Sequence, residues 1–272
     1  MHSAQETPPV TIVVTAYNSK KFIVKTIESL AAQTYPALEI LISDDGSTDG
    51  TRDVLLEMAA RFGNIRLNFN EKNLGIAKNY NRAVGMASGE FVIGISHDDL
   101  LPPAHVEKML RHFDAPDVGV VHCNAIRIDS EGNEHGFVAK NKEKIVKTVN
   151  PMKWLCFNNF IQSCGLMFRR QAFLEIGGWD ESFSYDSEWY TYIRYAEAYI
   201  FKYATDTYAY YRVHDTNISK YLKKERRDEF EAYRQRCREM AMARADINVI
   251  DRARIRLKIW RKRIKRMVLE KK

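Results

Sequence analysis

The sequence predicts an α/β fold: a mainly parallel sheet of Rossmann-like type, flanked by helices. Two observations carry that expectation. Through residues 10–128, short apolar runs alternate with amphipathic segments of helical period, the pattern of strand–helix–strand crossovers. Two of the runs, EILIS and EFVIGIS, stop on adjacent carboxylates or just before them, Asp44-Asp45 and Asp98-Asp99. In an open α/β sheet that is the edge where ligands bind.

The elements follow in order. Residues 10–16 (VTIVVTA) read as a strand and residues 22–33 as a helix with Ile23, Ile27, Leu30 and Ala31 on one face. Residues 39–43 form a second strand. A helix over 51–62 carries Val54, Leu55, Met58 and Phe62 as a stripe, with Ser47, Thr48 or Asp49 placed to cap it. A short strand over 65–69 and a helix over 76–87 bearing Tyr80, Ala83 and Val84 come next. The strand before Asp98, a helix after Pro103 and a strand over 118–128 complete the regular half. Residues 130–151 are polar and Gly-containing, a turn and loop. Residues 154–173 are apolar and aromatic, and Gly177-Gly178 precedes the aromatic, acidic segment WDESFSYDSEWYTYIRYA. From residue 222 the chain reads as helical and highly charged.

Composition narrows the class. Hydrophobic residues at 45% and charged residues at 28% are globular values, which excludes a disordered chain. No apolar run approaches the roughly 18 residues of a membrane-spanning helix, and the start of the chain lacks the apolar core of a signal peptide. The four cysteines show no CxxC spacing, so buried free thiols in a reducing, cytoplasmic setting are expected rather than a zinc site. Of the net charge of +7, residues 251–272 contribute +9 (eleven Lys/Arg against Asp251 and Glu270), leaving −2 for the rest. A near-neutral domain with a basic tail is no nucleic-acid binder.

The paired acids are the chemical signal. Two carboxylates at a strand end are costly unless water or a cation reaches them. A hard divalent ion takes one or two carboxylates and fills its remaining positions with waters and substrate phosphates. An acidic turn before a Pro-initiated helix is the alternative reading. Tyr17, after the first strand, either stacks on a base or is a half-buried strand-end ring. Neither GxGxxG nor GxxxxGK[ST] is present, so a bound diphosphate would lack a glycine cradle.

Five segments in order, VTIVVTAYN, EILISDDGSTDGT, NLGIAKNYNRAVGMASGEFVIGISHDD, GGWDE and YYRVH, resemble the family 2 glycosyltransferases of GT-A fold over residues 10–219. The resemblance implies nucleotide binding by Ala16, Tyr17, Asn18, Asp44 and Asp45, with Lys78 nearby where relatives often carry arginine. It places the metal element on Ser96-His97-Asp98-Asp99, with Asp99 as ligand to Mn²⁺ or Mg²⁺ and Asp98 as a ribose or metal partner. Ser96 departs from the usual acid. It implies a catalytic base at Glu188 or Asp186, six or eight residues before Arg194. It gives His214 to the metal shell or the diphosphate, and Arg212 to the phosphate charge.

The implied activity is inverting, single-addition transfer from a nucleotide-diphospho-sugar, UDP-linked, to a hydroxyl of a glycan or lipid-linked acceptor in cell-surface polysaccharide synthesis. The Q-x-x-R-W signature of processive synthases is absent. A sugar-nucleotide nucleotidyltransferase and a non-catalytic glycan- or membrane-binding relative stand as alternatives. The implied division is a flexible start (1–9), a GT-A catalytic domain (10–220, with its nucleotide half at 10–129 and acceptor half at 130–220) and a helical basic extension (221–272). In that extension Ile250, Ala253, Leu257, Trp260, Ile264 and Met267 fall on one helix face opposite cations. Such a helix fits an anionic cytoplasmic membrane surface, or packs on the protein.

Overall fold

The computed structural model describes residues 7–139, 151–183, 187–218, 225–246, 252–254 and 257. Its elements run β1 (Val10–Ala16), α1 (Ile23–Ala31), β2 (Leu38–Asp44), α2 (Thr51–Arg61), β3 (Ile65–Phe69), α3 (Ile76–Met86), β4 (Phe91–Ser96), α4 (His105–Leu110) and β5 (Val118–Ile128). Then follow β6 (Glu134–Phe137), α5 (Met152–Leu155), β7 (Met167–Arg169), α6 (Arg170–Glu175), α7 (Ser187–Ala198), β8 (Ile200–Arg212) and α8 (Arg227–Arg244).

The sheet runs β3-β2-β1-β4-β7-β5-β6, with β8 paired to β5. The first four strands are parallel. β7 is antiparallel to both β4 and β5, and β8 is again parallel to β5. The parallel expectation therefore holds for the first half, while β7 reverses the direction in the middle of the sheet. In register, Ala16 faces Asp44 and Thr15 faces Ser96, so β1, β2 and β4 end at one edge.

Alternation along these strands builds two core layers, because side chains i and i+2 share a face. Ile12, Val14, Ile40 and Ile42 face one side and meet Ile23, Ile27 and Leu30 of α1. Val13 and Leu41 face the other and meet Tyr80, Ala83 and Val84 of α3, with Trp189 and Tyr192 of α7. Covering both faces is what lets the parallel strands be apolar throughout. Each such buried aliphatic contributes about 1.5–3 kcal/mol. α3 comes close enough that a Cβ on Gly94 would lie 2.3 Å from the Tyr80 hydroxyl. Tyr80 in turn stacks on Trp179 at 4.0 Å, a ring delivered by Gly177 and Gly178, both in the left-handed region.

Two contacts in the second half place the site. Leu100 exchanges both backbone hydrogen bonds with Tyr210, at 3.1 and 2.9 Å. That bridge docks the loop after Asp98-Asp99 against β8. The second is α8, which buries Tyr233, Cys237 and Ala241 in the α7 layer. Tyr233 stacks on Phe183 at 3.9 Å, Arg238 Nε donates to the Phe157 carbonyl at 3.1 Å, and Arg234 and Arg238 lie over the Trp189 ring.

The four cysteines are free and buried, as their spacing implied. Among the described residues no helix is long and apolar enough to cross a membrane. Of the apolar stripe in the basic extension, Ala253 and Leu257 are described and exposed; Ile250, Trp260, Ile264 and Met267 lie outside the described residues.

Candidate active site

The edge where β1 and β2 end is stitched by polar side chains. The Asp45 N–H donates to the Ala16 carbonyl at 2.8 Å. Asn18 takes a left-handed φ of 47°, which asparagine tolerates. Its Oδ1 accepts the Thr48 N–H at 2.9 Å and its own N–H donates to Ser47 Oγ at 2.8 Å. Tyr17 stands beside it, 45% exposed.

Asp44 and Asp45 reach this edge with their carboxylates turned into the protein. Asp44 accepts from the Ser47 N–H and hydroxyl and from Arg52 Nε at 3.1 Å. Asp45 accepts from Asn70 Nδ2 and the Leu74 N–H, both at 2.9 Å, and from the Gly75 N–H at 3.0 Å. The pair thereby holds the β2–α2 turn and the loop before α3, the local bonding that favours aspartate in turns. The expected cap of α2 takes a different form: Gly50 occupies the cap position, and Asp49 accepts from the Thr51 N–H and hydroxyl. Lys78 is exposed on α3, while Asn79 is buried against Ser43.

The second pair is arranged differently. Asp98 Oδ2 meets His214 Nε2 at 2.9 Å, with Asn217 Nδ2 at 3.3 Å, and all three residues are buried. On the far side of the ring, Nδ1 meets the Thr216 hydroxyl at 2.8 Å. Facing a carboxylate, Nε2 carries a hydrogen, so a neutral ring accepts from Thr216 through Nδ1. A hydroxyl both donates and accepts, so the same contact supports the opposite tautomer, in which Nε2 presents a lone pair to a cation and Nδ1–H donates to Thr216.

Mn²⁺ or Mg²⁺ fits this donor set: Asp98 offers hard oxygens, His214 a nitrogen with an oriented second ring atom, and such ions draw their remaining ligands from water and phosphate. Among the described residues no group of three or more His, Cys, Asp or Glu side chains forms a metal cluster. Among the described residues, Asp98 and His214 bring an oxygen and a nitrogen donor within 2.9 Å of each other here.

Asp99, the principal ligand that the resemblance implies, accepts the Arg212 N–H through Oδ1 at 2.9 Å and lines the cleft described below. Arg212, which the resemblance gives to the phosphate, has a buried guanidinium that donates to carbonyls: Nε to Asp98 at 2.8 Å, and Nη1 to Asp129 at 2.8 Å and Ser130 at 3.3 Å. Through Nε and Nη1 it holds β8 on the Asp98 loop. Sequence reasoning missed Thr216 and Asn217; their signal is the run HDTN, polar residues just past a strand end.

Burial, and then the neighbouring Asp98 charge, push the Asp99 carboxyl well above its ordinary 3.8. The folded protein therefore binds a proton there that the unfolded chain has already released, and stability falls as pH rises from about 4 through the folded value. Asp99→Asn keeps an acceptor for the Arg212 N–H and cannot ionise. Its melting temperature is expected to exceed wild type at pH 7.5, with the gap closing as pH is lowered toward 4, as read by calorimetric scans.

Beside the Asp98 loop opens a cleft whose lining includes Thr15, Ser96, Gln162, Tyr80, Trp179 and Tyr192. α7 lines it with Thr191, Tyr192 and Tyr195. Glu188, in the first turn of α7, stands one turn before Thr191 and Tyr192 and so shares their stripe. Its charge reaches the cleft wall: burial first, then Glu188, raises the Tyr80 hydroxyl above its usual range. Asp186 lies outside the described residues.

The profile described as "Glycosyl transferase family 2" matches residues 11–177. The chain belongs to glycosyltransferase family 2. An uncharacterized glycosyltransferase of Rickettsia typhi is 30% identical over 202 residues, covering 71% of this chain and 61% of its own. The chondroitin synthase of Escherichia coli is 32% identical over 200 residues, 72% of this chain and 27% of that one. The chain thus spans less than two thirds of either relative's length, 61% of one and 27% of the other. S. aureus TarS 1–349 in complex with UDP-GlcNAc superposes with a TM-score of 0.70 at 19% identity, covering 91% of this chain and 70% of that one. The mannosyltransferase PcManGT of Pyrobaculum calidifontis, in complex with GDP-Man and Mn²⁺, gives 0.63 at 20%, covering 94% and 80%. Both likenesses show a shared GT-A glycosyltransferase fold.

Proposed function

We propose that this family 2 chain transfers a sugar, with inversion, from a nucleotide-diphospho-sugar to an acceptor hydroxyl, one unit at a time. The observation that carries the reading is the buried Asp98–His214 pair, open to either tautomer, at the carboxyl edge of the parallel strands. A divalent ion bound there would supply charge neutralisation for the diphosphate leaving group. Tyr17 offers an exposed ring for the base, Asn18 and Lys78 flank that edge, and Asp44 and Asp45 shape it from within. Glu188 is the base, on the cleft-facing stripe of α7, with Asp186 as the neighbouring candidate. It takes the acceptor's proton as that oxygen attacks the anomeric carbon and the diphosphate departs from the opposite face.

A UDP-linked donor is the favoured class; TarS holds UDP-GlcNAc and PcManGT GDP-Man in the same fold. The aromatic wall of Trp179 and Tyr192 suits a glycan or lipid-linked acceptor of a surface polysaccharide, since sugar faces pack on rings. The basic residues beyond 250 would hold such an enzyme at an anionic cytoplasmic membrane face. Calorimetric titration with UDP, GDP, dTDP and CMP, with and without Mn²⁺, tests the core of this. Metal-dependent binding of one diphosphate, UDP foremost, is expected; folded protein that binds none of them sinks it.

A further inference from the structure

One side chain of α3 holds a corner of the cleft that lies 98 residues further along the chain. Asn81 Nδ2 donates to the Trp179 carbonyl at 3.0 Å and to Glu181 Oε1 at 2.9 Å, while its Oδ1 accepts the Trp179 N–H at 2.8 Å. A single amide thus closes on both backbone groups of Trp179. The approach is tight: Gly178 takes a left-handed φ of 67°, and a Cβ there would lie 2.6 Å from Asn81 Oδ1. Two further bonds fix the same corner, from the Gly178 N–H to the Phe173 carbonyl and from the Thr191 hydroxyl of α7 to the Gly178 carbonyl, both at 3.0 Å. What the corner carries is a ring. Trp179 stacks on Tyr80 at 4.0 Å, 15° from parallel, and lines the cleft half-buried. Consecutive residues of α3 therefore supply the ring under Trp179 and the amide that grips its backbone.

We propose that Asn81 is a positioning residue for the acceptor: it fixes Trp179 as a rigid stacking platform for a sugar ring in the cleft. This rests on the cleft being the acceptor side. A sugar stacks through a face of C–H groups and binds each ring weakly, so the freedom a loose indole would lose on binding is a large share of the total. A platform held in place beforehand avoids that loss. The grip also needs asparagine rather than aspartate, because only an amide donates to a carbonyl and a carboxylate while accepting an N–H. Aspartate, of the same shape, would face the Trp179 carbonyl and Glu181 with a negative charge.

The test uses the full chain labelled with ¹⁵N, whose four tryptophans give separate indole signals; that of Trp179 is assigned by its loss in Trp179→Phe. The Trp189 indole, buried and bonded to the Leu155 carbonyl at 3.2 Å, is the internal control for the fold. In Asn81→Asp the ¹H–¹⁵N nuclear Overhauser effect of the Trp179 indole should fall, reporting fast motion, with the Trp189 signal unmoved. Methyl β-glycosides of glucose, galactose and N-acetylglucosamine, titrated in the millimolar range, should shift the wild-type Trp179 signal, and the best of them should bind Asn81→Asp about three- to tenfold more weakly. Asn81→Ala, which removes the bonds without adding a charge, should fall between the two. A Trp179 indole equally rigid in wild type and in both folded variants overturns the inference. Wild-type protein whose Trp179 signal no glycoside moves overturns the acceptor reading of the cleft instead, and the relaxation comparison still decides whether Asn81 holds the ring.

Discussion

Asp98→Ala is expected to abolish sugar transfer and metal-dependent nucleotide binding together, while the protein keeps its fold. The side chain's partners are His214 and Asn217, at 2.9 and 3.3 Å. What docks β8 on this loop is main chain: the Leu100–Tyr210 pair of bonds, and the Arg212 guanidinium on the Asp98 carbonyl. Alanine preserves all of it. Only the carboxylate is lost, so the melting temperature should shift by a few degrees at most. Turnover per KM should fall at least a thousandfold, about 4 kcal/mol of transition-state stabilisation. His214→Ala should fall short of that on its own, and the double variant should be no worse than Asp98→Ala, because groups acting as a unit are not additive. Calorimetry with Mn²⁺ and UDP, alongside initial rates, checks each point. Retained Mn²⁺ dependence in Asp98→Ala would move the ion elsewhere.

Glu188→Gln is the second large effect. The amide has the carboxylate's shape and cannot accept a proton, so nucleotide and metal affinity should stay at wild-type values while turnover falls by about 10²–10⁴, the usual worth of a positioned base. Because Glu188 sits in the first turn of α7, neutralising it also removes a favourable interaction with the helix dipole, worth about 0.3–1 kcal/mol. A slightly lower melting point is therefore expected. Asp186→Asn serves as the comparison: whichever variant loses turnover with UDP affinity intact identifies the base, and equal loss in both would assign the role to the pair.

The sheet was legible where a strand is apolar on both faces and bounded by turns. β1, β3 and β5 begin and end on the residues the apolar runs mark out. β6 and β7 were not, since runs of four and three residues (EHGF and MFR) carry no period. β8 was missed for another reason. Its sequence, IFKYATDTYAYYR, mixes charge and aromatics because parts of it are exposed, and nothing local says that it closes on β5.

The site divides the same way. Strand-end acids, the aromatic at Tyr17 and the YRVH run were all found from sequence, and the structure brings Asp98 and His214 together. What each acid touches was not legible. Asp44-Asp45 and Asp98-Asp99 look alike in sequence, yet one pair meets Ser47, Arg52 and loop N–H groups, and the other meets a strand from the far end of the domain. Nor were the carbonyl partners of Arg212 legible, because they come from loops that only the fold assembles.

Asp98 and His214 are 116 residues apart in the chain. During synthesis the parallel strands and their acid-bearing edge emerge first, and the carboxylate waits for a histidine not yet made. At ribosomal rates of about 5–20 residues per second, that delay is roughly 6–23 s. A nascent chain can thus carry every strand of the parallel half while the Asp98–His214 pair has yet to form, a built-in interval between scaffold and site.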